Sequence, residues 1–86
     1  MVSKVYTVYD CKSEIYLTPF QRSTRGQCIR DFTDTVCDPK SQFNKHPEDY
    51  TLFEIGTYDD LSGVFEMYEA KVSIGCAREF LRSEVQ

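Results

Sequence analysis

The 86-residue chain has four cysteines, no two of them in a C-x-x-C pair, and a single histidine, His46, far from any cysteine-rich spacing. That pattern argues against a zinc site. It leaves Cys11, Cys28, Cys37 and Cys76 as free thiols of a reducing compartment, and Cys28 and Cys76 fall within helical patterns, where they suit small core residues. There is no phosphate-cradling glycine loop, no G-x-S-x-G and no H-E-x-x-H, so no metal, cofactor or enzymatic activity is expected. No apolar run follows the opening Met1-Val2-Ser3-Lys4, so neither a signal peptide nor a membrane span is expected. The chain has no overall basic excess: the formal net charge is −4, whereas a plain nucleic-acid binder is basic.

What is present is a folded composition, 41% hydrophobic and 14% aromatic, without linker or low-complexity segment. One domain spanning residues 1–86 is expected, and a chain so short gains from burial in a dimer. The charge is uneven, +2 over residues 1–46 and −6 over residues 47–86.

Lys4 to Tyr9 is β-branched and aromatic and predicts a strand. Glu14 to Thr18 predicts a second, ended by Pro19. Thr24 and Gln27 have capping-box spacing before a helix to Cys37, with Ile29, Phe32 and Val36 as its core stripe. Asp38-Pro39 stops it. Lys40 to Asp49 reads as a polar loop around Phe43, and Tyr50 to Tyr58 as the third strand. A glycine-containing hairpin loop, Asp59 to Gly63, leads to a fourth strand from Val64 to Glu69. Ser73 is expected to cap a final helix whose stripe is Ala77, Phe80 and Leu81, with a frayed C-terminus. The fold class is therefore α+β, order ββαββα: a four-stranded, mainly antiparallel sheet with two helices on one face.

Alternation places Ile15, Leu17, Phe53, Ile55, Phe65 and Met67 against the helices. The opposite face then carries Glu14, Tyr16, Leu52, Glu54, Tyr58, Val64, Glu66 and Tyr68. Its aromatic character suits a self-association surface built from Tyr16, Leu52, Tyr58, Val64 and Tyr68. An ordinary half-solvated sheet face is the plain alternative. A base-stacking platform is the third reading, disfavoured because such platforms are surrounded by Lys and Arg, not by glutamates.

The basic residues cluster between the second and third strands. Arg22 and Arg25 flank the start of the first helix, where free N–H groups and the helix dipole attract anions. Lys12 sits in the first turn, Lys40 and Lys45 in the long loop. Together these five form the expected contact set for nucleic-acid phosphates, against the plain reading of a solvated charged rim. Arg30 is a weaker candidate because Asp34 is placed to pair with it. His46 beside Glu48 and Asp49 has the elements of acid–base chemistry, but Pro47 makes the segment read as a rigid turn. Asp59 and Asp60 are neighbours pointing in different directions, which suits a turn better than a Mg²⁺ site.

Several segments stand in a recognisable order. They are Lys4-Val5-Tyr6-Thr7-Val8-Tyr9-Asp10, then Pro19-Phe20, Ile29-Arg30-Asp31-Phe32 and Asp38-Pro39. The most specific runs from Phe43 through Lys45-His46-Pro47-Glu48-Asp49-Tyr50 to Asp59. In these segments the chain resembles the small nonstructural protein of gokushovirus-type single-stranded DNA microviruses. The likeness extends over residues 3 to 70 and weakens in the last predicted helix, and three of the cysteines (Cys11, Cys28 and Cys37) lie outside its pattern. The resemblance implies a protein made in the cytoplasm of an infected bacterium and absent from the mature virion. It implies DNA binding during production or packaging of the genome, and it supplies no catalytic residues. The functional expectation is a non-enzymatic viral accessory protein, a homodimer that binds DNA without reading sequence, single-stranded DNA foremost. The alternative is an adaptor that engages a host replication or defence factor, or the viral scaffold.

Overall fold

The structure, a computed structural model, describes residues 1–81. Five antiparallel strands form one curled sheet: β1 (Val2–Asp10), β2 (Ile15–Tyr16), β3 (Phe20–Arg22), β4 (Tyr50–Asp59) and β5 (Val64–Cys76). The order is β2-β1-β4-β5, and β3 shares with β2 one edge of β1. β3 pairs with Lys4 to Tyr6 and β2 with Tyr9 and Asp10. Helix α1 (Arg25–Cys37) and the single turn α2 (Gln42–Lys45) complete an α+β fold, with short 3-10 turns at Pro47–Asp49 and Ala77–Phe80.

α1 begins where the sequence places it. The Thr24 hydroxyl accepts the Gln27 backbone N–H at 3.1 Å, satisfying one of the orphan donors of the first turn. Its buried face is Cys28, Phe32 and Val36. These pack with Tyr6, Val8, Tyr50, Leu52 and Ala77 into one core, flanked by Leu17, Phe20, Phe43, Ile74 and Phe80.

The faces of the sheet are largely the reverse of the expected ones, although Leu17 packs against the core and Tyr16 and Tyr58 lie away from the helices, as expected. Tyr6 stands opposite Glu54, Val8 opposite Leu52 and Asp10 opposite Tyr50, and Leu52 and Glu54 are buried beneath α1. Phe65 and Met67, expected inside, are more than half exposed, and Ile15 is exposed as well. The cause is that Glu54 is neutralised by partners from α1 and β5, so a glutamate occupies a core position that alternation assigns to an apolar residue.

The chain departs from expectation at four further places. Lys40 to Asp49, expected to be a loop, holds α2 and a 3-10 turn, whose N–H groups bond back to the Ser41, Gln42 and His46 carbonyls. Glu14 lies in a turn with φ 61°, not in a strand, and β3 occupies a stretch where the sequence pattern predicts no element. The segment from Ser73 to Cys76 is not helical. It continues β5, with Ser73 opposite Phe53, Gly75 opposite Leu52 and Cys76 opposite Thr51, and helical geometry is confined to the 3-10 turn, whose Ala77 is buried. The pairing gained along β4 outweighs a helix already weakened by Gly75. The expected fraying of the last residues lies outside the described residues.

Candidate nucleic-acid interface

The five cations expected to form one patch are divided between two ends of the molecule. Arg22 pairs in register with Lys4 near the start of β1, and Arg25 opens α1. Lys12 follows the far end of β1, about 20 Å away by strand rise. Lys40 and Lys45 lie beyond the C-terminus of α1, where the Asn44 side-chain amide donates to the Val36 carbonyl at 2.9 Å.

The two arginines are also engaged. Arg22 Nε donates to Asp31 Oδ2 at 2.6 Å, and its guanidinium lies 5.1 Å from the centre of the Phe20 ring. Arg25 donates to Glu54 Oε1 through Nε at 3.0 Å and Nη2 at 2.9 Å. The Arg22 hydrogen bond, assisted by one from Gln27, holds the Asp31 carboxyl below its ordinary range. Burial pushes the Glu54 carboxyl up, but hydrogen bonds from Tyr68 and Arg25 outweigh it and hold the group low. The helix mouth therefore presents two closed ion pairs, not an electropositive nook. Sequence reasoning set Arg30 aside as locally paired and missed that Arg22 and Arg25 have acidic partners from α1 and β4.

The expected self-association set is likewise dispersed. Leu52 is core. The Tyr68 hydroxyl is committed to Glu54 Oε2 at 2.6 Å. Val64 lines a hollow with Thr57, Asp59 and Glu66 on the helix side of the sheet. Tyr16 and Tyr58 belong to the opposite, open face.

That open face is the distinctive surface. Tyr9, Tyr16 and Phe53 cluster there, with ring centres 4.7 Å apart for Tyr9 and Tyr16 and 6.2 Å for Tyr16 and Phe53. Lys71 Nζ lies 5.1 Å from the centre of the Tyr16 ring. Further along, Tyr58 packs on Phe65 at 4.6 Å. Two adjoining hollows of about 380 and 320 Å³ lie between these groups and share Pro19, Ile55 and Met67 as lining. The groove exists because β5 bows away from β4: Tyr68 to Lys71 stand against Ile55 alone. Glu54 and Glu66, two of the three glutamates expected beside these aromatics, point to the other side. Alternation together with the Arg25–Glu54 pairing is the signal that could have found this face.

The model of the family described as Phage ORF5 protein matches residues 3–80. The chain belongs to that family. The match takes in all five strands, both helices and the open face, and identifies a phage protein. No curated protein and no solved structure matches the chain. No helix among the described residues is long and apolar enough to cross a membrane.

Proposed function

We propose that this phage protein is a non-enzymatic accessory protein that binds single-stranded DNA without reading its sequence, through the open face of the sheet. The observation that carries the reading is the Tyr9, Tyr16 and Phe53 cluster with Lys71 beside it, on a face from which Glu54 and Glu66 are turned away. Aromatic rings stack bases of any identity, each worth about 1–3 kcal/mol, and a neighbouring cation meets the phosphate. The likeness to the gokushovirus nonstructural protein supports the same reading. It favours a role in genome synthesis or packaging in the cytoplasm of the infected bacterium, outside the mature virion. The edge of β5, unpaired among the described residues, with Phe65 and Met67 exposed, supports a homodimer, since free apolar edges recruit a further strand. Light scattering on the purified protein measures that state.

The test is anisotropy of a labelled oligothymidine at low and moderate salt, with duplex as control. Tyr16→Ala plus Phe53→Ala is expected to weaken binding at least tenfold, and Lys71→Ala to weaken it and reduce the salt slope by about one. Unchanged affinity in the aromatic double variant overturns the assignment of the face. Absence of binding by the wild type at low salt overturns DNA binding itself. In that case the second reading stands, a protein–protein adaptor. It is favoured by the closed Arg22 and Arg25 ion pairs and the net charge of −4. Pulldown from host lysate would then identify its host or viral partner.

A further inference from the structure

The turn between α2 and β4 holds three donor groups in close array. His46, Glu48 and Asp49 each offer one ligand atom, and these atoms all lie within 4.8 Å of one another. The turn is fixed from several sides. The Asp49 N–H donates to the His46 carbonyl at 3.0 Å, and the Asp49 carbonyl accepts the Cys11 N–H at 2.9 Å. The Pro47 carbonyl accepts the Cys76 thiol at 3.2 Å. Pro47 itself restricts the backbone between His46 and Glu48.

Asp49 makes the array more than a group of exposed acids. It is only 8% exposed, yet among the described residues its carboxylate has neither a hydrogen bond nor an ion pair. Neither Lys12 nor Lys45 forms a salt bridge with it. A carboxylate on a residue this deeply buried, left with little water and no partner, is costly. A divalent cation at the point shared by the three donors would neutralise it.

We propose that His46, Glu48 and Asp49 bind a first-row divalent transition-metal ion. One imidazole nitrogen and two carboxylate oxygens suit such an ion better than the all-oxygen cages that Ca²⁺ and Mg²⁺ prefer. His46 and Glu48 are exposed, so the remaining coordination positions face water. The ion locks the entry to β4. This site is independent of the DNA-binding reading and uses no cysteine.

The test is Co²⁺ titration of the metal-stripped protein, followed by visible absorption and thermal melting. The expected result is one ion per chain and a melting midpoint about 15 °C higher at Co²⁺ a hundredfold above its Kd. His46→Gln and Asp49→Asn are each expected to weaken Co²⁺ binding more than tenfold. Without metal, Asp49→Asn is expected to melt no lower than the wild type, because it removes an unpaired buried charge. No melting shift in the wild type overturns the proposal, as does a shift that survives in His46→Gln. An intense near-ultraviolet thiolate-to-cobalt band overturns it by placing the ion on cysteine, and a lower metal-free midpoint for Asp49→Asn overturns it by showing that the carboxylate is already structurally engaged.

Discussion

Arg25, in the first turn of α1, closes on Glu54, in the middle of β4, with two hydrogen bonds to a single carboxylate oxygen. The other oxygen accepts the Tyr68 hydroxyl at 2.6 Å. Three elements thus meet on one group that is 3% exposed. Removing one partner of a buried pair leaves a charge without compensation. Arg25→Ala is expected to lower stability by about 2–3 kcal/mol, toward the small end of such losses because Arg25 is half exposed and water can take its place. Glu54→Gln, which keeps the shape and can still hydrogen-bond, is expected to cost less. Urea unfolding of the two single variants and the double variant measures the coupling.

The same pair, with Arg22–Asp31, sets the acid response. Both carboxyls are held below their ordinary values in the folded chain. A depressed folded value means that the unfolded chain binds protons first. The stabilisation is therefore fully present above the ordinary carboxylate pKa of about 4 and is lost as pH falls through the lower folded values. Urea midpoints are expected to be flat from neutral pH to about 5.5 and to drop below that, with a shallower drop in Asp31→Asn.

Tyr6 is fully buried beside this network, and its hydroxyl has no hydrogen-bond partner among the described residues. Burial, with the nearby Cys28 and Glu54 adding to it, pushes its pKa up to about 12. The ring contributes through its stack on Phe20, with centres 5.8 Å apart, whereas the hydroxyl contributes a desolvation cost. Tyr6→Phe keeps the first and removes the second. It is expected to raise stability by about 1 kcal/mol, read as a higher urea midpoint at unchanged slope.

Burial also pushes the Cys28 thiol up to about 11, while Cys11 is exposed in the first turn. Only the thiolate reacts. Iodoacetamide under native conditions is expected to modify Cys11 and to spare Cys28 until the chain unfolds, which mass spectrometry of the digested protein resolves by site.

The elements governed by local chemistry were legible in the sequence. The Thr24 cap, the Phe32 and Val36 stripe and the stop at Asp38 depend on residues within a few positions, and they lie where the spacing puts them. What was illegible depends on partners distant in the chain. Leu52 and Glu54 read as an outer face because nothing local announces that Arg25 and Tyr68 will compensate a buried glutamate. Arg22 and Arg25 read as free because Asp31 and Glu54 reach them from other turns and strands. Ser73 to Cys76 read as a helix start because its pairing with Thr51 to Phe53 depends on the long bow of β5. The aromatic groove follows from these same non-local choices.

Gly56 shows how closely that bow is constrained. A Cβ there would stand 2.5 Å from the Glu66 carbonyl oxygen and 3.0 Å from Met67 Cα. These are backbone atoms of β5, so relief requires the strand to move. Gly56→Ala is expected to cost about 1–3 kcal/mol. It is also expected to speed amide exchange at residues 64–67 relative to β1, because the strain falls where β5 leaves β4. Gly63→Ala is the contrasting case. Open space surrounds that position, but its φ is +72° in the hairpin turn, so the cost of about 1 kcal/mol is conformational and exchange should rise only at the turn. If both variants loosened residues 64–67 equally, close packing at Gly56 would not be what holds the outer wall of the groove.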